Sequence, residues 1–150
     1  MRNNNSSRFG KWIEIHFSDQ NTVCGAFIES YLLEKSRVVT QQSNERNFHI
    51  FYQLFTSSEL CAAYNLSKPE HYRYLYGGKC VSVSGIDDEH CFMDVLDCFE
   101  ALGFSKEEKD SIFGLLVAIL KLGNLQYYDI DPSAMHPHAK VRNRPVFCHA

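Results

Sequence analysis

At 150 residues, 45% hydrophobic and 22% charged, the chain has enough material for one packed domain and too little for two. A formal net charge of -3 offers no basic footprint for nucleic acid, and no apolar run is long enough for a transmembrane segment. The opening MRNNNSSR lacks the apolar stretch of a secretory signal, so a cytoplasmic chain is expected, with Cys24, Cys61, Cys80, Cys91, Cys98 and Cys148 as reduced, space-filling thiols.

The polar opening RNNNSSRFGK reads, by itself, as a solvated terminus, because Asn and Ser favour turns. KWIEIHF then alternates, with Ile13, Ile15 and Phe17 on one side and Trp12, Glu14 and His16 on the other, which predicts a strand. SDQNT is a turn cluster and VCGAFIE a second strand, so residues 11–29 read as an antiparallel hairpin, with a bulge expected at Gly25. SYLLEKSRVV fits either a helical turn or a strand. Ser43 or Asn44 is expected to cap a helix over ERNFHIFYQLF, where Phe48, Phe51, Tyr52 and Phe55 form a buried stripe.

SSELCAAYNL predicts a short helix stopped by the segment Ser67 to Pro69, and KCVSVSG a short strand. Asp87 or Asp88 caps a helix whose Phe92, Val95, Leu96, Phe99 and Leu102 share a face, with Gly103 placed as a C-terminal glycine. Ser105 and Glu108 form a capping box ahead of KEEKDSIFGLLVAILKL, a helix nearly apolar all round from Leu115 to Leu120 and ended by Gly123. The last residues lose periodicity and carry three of the four prolines.

Most candidate chemistry has a plainer explanation. His136, His138, Cys148 and His149 lack a scaffold that would fix tetrahedral metal geometry. YGGKC lacks the first glycine and the hydroxyl of a phosphate loop, so it reads as a glycine turn. Asp87/Asp88 and Glu107/Glu108 sit where helix N-termini favour negative charge. His16 and His49 read as packed histidines, and no Ser/His/Asp arrangement follows from spacing.

NNNSSRFGK, YLLEKSRVV, ERNFHIFYQL, GFSKEEKDSIFGLL and LKLGNLQY occur in the order and spacing of the myosin motor head, and the chain resembles that family over about residues 2–128. ERNFHIFYQL and LKLGN lean towards unconventional, class I-like heads. The resemblance implies an α/β fold, a fragment of a P-loop NTPase in which a central-sheet hairpin, the transducer, precedes a mainly helical segment. Residues 1–128 would be a partial motor domain with switch I and part of the upper 50-kilodalton subdomain, and 129–150 a divergent, unstructured tail.

Carried over residue by residue, the resemblance makes RNNNSSRFGK switch I. Asn3 would contact the ATP phosphates, Asn5 would orient the loop, and Ser6 would stand at the γ-phosphate and attacking water. Ser7 would give its hydroxyl to Mg, and Arg8 would pair with a switch II glutamate. Phosphoryl transfer depends mainly on positioning and electrostatic stabilisation, which is work for amides, hydroxyls and a fixed guanidinium. The implied cofactors are therefore ATP and Mg. The implied partners are the actin filament and the remainder of the head, within the actin cytoskeleton.

The sequence contains neither G-x-x-x-x-G-K-[ST] nor D-x-x-G-F-E, so this stretch alone is expected to be inactive, and its start reads as a truncation. Two other readings remain: a non-catalytic protein-binding module, and a truncated gene product without activity.

Overall fold

The structure is a computed structural model that describes residues 5–130 and 139–142. It is α/β in content and divides at Arg37 into two compact units.

The first unit is the expected hairpin, β1 (Gly10–Phe17) paired antiparallel with β2 (Val23–Tyr31). Gly10 faces Tyr31, and the register holds as far as His16 opposite Gly25. It then shifts so that Phe17 faces Val23, leaving Cys24 as the extra residue beside the glycine expected to bulge. Ser18 closes the turn: its amide donates to the Thr22 carbonyl at 2.8 Å and its hydroxyl accepts from the Gln20 and Thr22 amides at 3.3 Å. Asn21 takes the left-handed conformation such turns require (φ 58°). The side chains alternate as predicted, yet Trp12, Ile13, Ile15, Phe17, Phe27 and Ile28 are all exposed.

SYLLEKSRVV resolves into both of its readings. Ser30 and Tyr31 end β2, Leu32 breaks the strand at φ 56°, and Ser36–Val39 form one helical turn, α1.

The second unit is helical: α2 (His49–Gln53), continued by a 3-10 turn at Leu54–Thr56, then α3 (Ser58–Ala63), α4 (Arg73–Tyr76), α5 (Asp88–Ala101) and α6 (Lys106–Gly123). Its core gathers Phe51, Tyr52, Leu54, Leu75, Phe92, Phe113, Val117 and Leu120. Phe113 of α6 packs against Phe92 and Phe99 of α5, with ring centroids 5.7 and 5.9 Å apart.

Four local expectations need correction. The first central helix begins at His49, without a cap from Ser43 or Asn44. Asn44 is left-handed (φ 64°), and Asn47 is buried, its side-chain oxygen accepting from the Phe48 amide while its nitrogen donates to the Val38 and Tyr74 carbonyls at 2.9 Å. That tertiary anchoring keeps residues 45–48 out of the helix; the stripe of Phe48, Phe51, Tyr52 and Phe55 nevertheless packs into or against the core. KCVSVSG forms no strand, since Lys79 and Gly85 both have positive φ and turn the backbone at each end. Leu102 caps α5 and is 74% exposed, outside the apolar face it was assigned.

The fourth is His16, which was expected to be packed and is exposed on β1. Gly123 ends α6 as expected. A Cβ there would lie 2.6–2.7 Å from the Tyr74 ring, so this glycine permits close approach. Gly123→Ala is expected to destabilise the helical unit by about 1–3 kcal/mol through overpacking, despite alanine's better helix propensity. Urea unfolding checks this, and a Tyr74→Ala background should remove most of the loss.

The caps at the two long helices form as expected. Asp87 accepts from the His90 amide at 3.0 Å. Ser105 and Glu108 satisfy each other's amides at 3.2 and 2.8 Å. The all-round apolar half of α6 buries Val117 and Leu120 but leaves Leu115 and Leu122 exposed.

The expected tail from 129 onwards is not wholly without structure. β4 (Ala139–Val141) pairs antiparallel with β3 (Tyr127–Asp129), with Tyr128 opposite Lys140. His136, His138, Cys148 and His149 lie outside the described residues, among which no helix is long and apolar enough to cross a membrane.

Candidate functional site

The switch-like stretch enters β1 directly, so its inner end is fixed by the hairpin. Asn3 lies outside the described residues. Asn5, Ser6 and Ser7 are exposed and precede the strand, whereas Arg8 is half-buried at the point where the chain turns into it. Polar groups able to meet phosphate oxygens or a hard cation thus sit together on an accessible segment. The guanidinium sits at the junction with the sheet.

What holds that junction is Glu34. Its amide donates to the Arg8 carbonyl at 2.9 Å, extending the hairpin contact beyond Gly10 and Tyr31. Its carbonyl accepts from the Arg37 amide at 3.2 Å and so starts α1. Its carboxylate takes two guanidiniums. Arg37 reaches both oxygens, Nε to Oε2 at 2.9 Å and Nη2 to Oε1 at 3.4 Å, and Arg8 reaches one, Nη1 to Oε2 at 3.3 Å. The hydrogen bond from Arg37, and then the charges of Arg37 and Arg8, hold the Glu34 carboxyl below its ordinary value of 4.5, outweighing the opposing effect of burial.

A depressed carboxylate stabilises the folded state above its unfolded pKa, and that stabilisation disappears as the pH falls through the lower folded value. Acidification below about pH 4.5 is therefore expected to weaken the hairpin end. Because Glu34 is partly exposed, the loss should be only about 0.2–1 kcal/mol. The Arg8 guanidinium resonance, followed from pH 6 to pH 2 in wild type and Glu34→Gln, checks it: only the wild type should show this step.

The motif points to Asn3, Asn5, Ser6, Ser7 and Arg8, and Glu34 and Arg37 lie outside it. The available signal was their opposite charge at a spacing of three, inside a segment that looked ambiguous as a whole. The structure brings Arg8, Glu34 and Arg37 together and shows where Ser6 and Ser7 stand. Among the described residues, no group of three or more His, Cys, Asp or Glu side chains could hold a metal.

Residues 1–145 match the family model described as the myosin head (motor domain). The chain belongs to the myosin head family. Its relatives include Myosin-1 of Pyricularia oryzae, 52% identical over 134 residues, and the myosin IC heavy chain of Acanthamoeba castellanii, 49% identical over 131 residues. Myosin-1 of Arabidopsis thaliana is 46% identical over 133 residues. These alignments cover 86–87% of this chain and 11% of each relative, so the chain spans about a tenth of the length of the myosins it matches. The names bear out a myosin-head segment of unconventional, class-I type, and the family match runs past residue 128, through β4.

Proposed function

We propose that this segment supplies switch I of an ATP-driven, actin-based motor with a P-loop NTPase fold, working in the cytoplasm on the actin cytoskeleton. The observation that carries the reading is the placement of exposed Ser6 and Ser7 hydroxyls on a loop that Arg8, two residues before β1, fastens to the end of a β-hairpin. Membership of the myosin head family supports it.

In this reading Asn3 and Asn5 donate to or orient around the ATP phosphates. Ser6 faces the γ-phosphate, Ser7 offers its oxygen to Mg, and Arg8 closes the site against a carboxylate from the rest of the head. Hydroxyl oxygen is the hard donor Mg²⁺ takes, and the ion keeps several other ligands, so one exposed serine fits as a partial ligand set. When bound, Mg neutralises charge between the phosphates; the residues here position and orient. Strand β1 would carry loop movement into the sheet, since contacts to a γ-phosphate order such loops and their loss releases them.

The 150 residues carry no phosphate-loop motif, so on their own they should show no ATPase above background. The positive test is a Pyricularia oryzae Myosin-1 head whose matching segment is replaced by residues 2–128. Actin-stimulated ATPase within about tenfold of the parent head is expected, a barrier difference of about 1.4 kcal/mol or less. A folded chimera without ATPase would overturn the reading and leave the protein-binding module in its place.

A further inference from the structure

We propose that Glu34, fixed by Arg37, is a parking carboxylate for Arg8: a weak, exchangeable holder that positions the guanidinium of the loop and releases it when the loop engages its own partner. The inference rests on the switch reading for its purpose and on the ion-pair geometry for its substance.

The two guanidiniums are not equivalent. Arg37 meets both carboxylate oxygens, is buried, and lies three residues from Glu34 on the same turn, so its contact is short-range and largely shielded from water. Arg8 makes one longer contact at 3.3 Å, with about a third of its side chain exposed. Exposed pairs of that kind change an equilibrium by only about 1.5- to 5-fold. The carboxylate is thus a permanent fixture and the arginine its guest. Main-chain geometry separates the same two functions. The Glu34 amide bonded to the Arg8 carbonyl fixes the backbone of residue 8 whether or not the side chain is docked, so the guanidinium can leave without undoing the strand end.

A structural triad would behave otherwise. If the three side chains merely braced the hairpin, removing any one should loosen the other two. With a fixed dock and a guest, removing Arg8 leaves the Glu34 to Arg37 contact intact, while removing the carboxylate releases Arg8. Glu34 is accordingly a positioning residue, acting through Arg8.

Arginine side-chain NMR on the full chain tests this, reading water exchange of the guanidinium hydrogens, at Nη1 for Arg8 and at Nε for Arg37. In wild type, Arg8 should exchange more slowly than free arginine but clearly faster than Arg37. Arg8→Gln should change Arg37 exchange by less than about twofold, and Glu34→Gln should speed Arg8 by about 1.5- to 5-fold. Cross-strand contacts between Ile13 and Ile28 in the same spectra report whether the hairpin persists. If Glu34→Gln loses the hairpin, the wild-type comparison and Arg8→Gln decide. Arg8 as protected as Arg37, Arg8 indistinguishable from free arginine, or Arg37 loosened by Arg8→Gln would each overturn the proposal. A failure of the switch reading would show instead as an Arg8-insensitive ATPase in the chimeric head, with these exchange rates unchanged.

Discussion

Asp88→Ala is expected to destabilise the helical unit by about 3 kcal/mol, the scale on which breaking a buried ion pair from one side is felt. Arg46 is the reason. Its side chain is 3% exposed, and its Nη2 lies 2.9 Å from Oδ1 and 2.7 Å from Oδ2 of Asp88. The guanidinium also sits 3.9 Å from the centre of the Tyr52 ring. Tyr52 is itself committed: its hydroxyl donates to the Leu75 carbonyl and accepts from the Asn47 amide, both at 3.0 Å, and burial pushes its phenol above the ordinary value.

Removing the carboxylate takes the Asp88 counter-charge from this buried cation, and takes a negative charge from the first turn of α5, where the helix dipole favours one. The joint replacement Arg46→Met with Asp88→Leu should recover most of the loss, because the desolvation of both charges is then avoided. Urea unfolding of the two single variants and the pair measures this. A loss under about 1 kcal/mol for Asp88→Ala would mean that the pair behaves as a surface bridge.

What could be read from the sequence divides by the range of the interaction. The hairpin turn, the Ser105 and Glu108 capping box and the Asp87 cap all join residues within about four positions, so a local pattern announces them. Arg46 with Asp88 spans the helical unit, and nothing near either residue marks the pairing in the sequence. Asn124 is similar: its oxygen accepts from the Arg73 amide and its nitrogen donates to the His71 carbonyl, both at 2.8 Å, fastening the end of α6 to the start of α4. Lys121, in the last turn of α6, is likewise tied over a long range: it is buried, with Nζ donating to the Tyr64 carbonyl at 2.9 Å. Gly123 ends α6 as its position announces, and the Tyr74 ring packed against it is a second, long-range reason for a glycine there. At the candidate site the proposed loop rests on its motif, whereas Glu34 was hidden because its partners become visible only once β2 returns beside Arg8.

The largest effect is expected at the loop itself, in the chimeric head. Arg8→Glu should lower single-turnover hydrolysis by about 10²–10³-fold, the scale on which one preorganised electrostatic contact acts in the reacting state. The substitution acts twice: it sets a carboxylate against the carboxylate proposed to receive Arg8, and it turns the side chain beside Glu34, whose carboxylate the wild-type arginine meets at 3.3 Å, from an attracting into a repelling charge. Both repulsions oppose an ordered loop. Ser7→Ala should also slow hydrolysis, by removing a Mg ligand, but with a different signature. Its loss should be relieved in part by raising the metal concentration, whereas that of Arg8→Glu should not. Reversing the charge of the receiving carboxylate should restore part of the Arg8→Glu deficit, and the double-mutant cycle isolates that coupling from any general damage to the fold. Nucleotide affinity should fall less than the hydrolysis rate in Arg8→Glu, because binding rests mainly on the phosphate loop and the metal, and closure on the arginine. Hydrolysis at the wild-type rate in Arg8→Glu would return RNNNSSRFGK to a polar leader for the hairpin, with Glu34 bracing a strand end and nothing more.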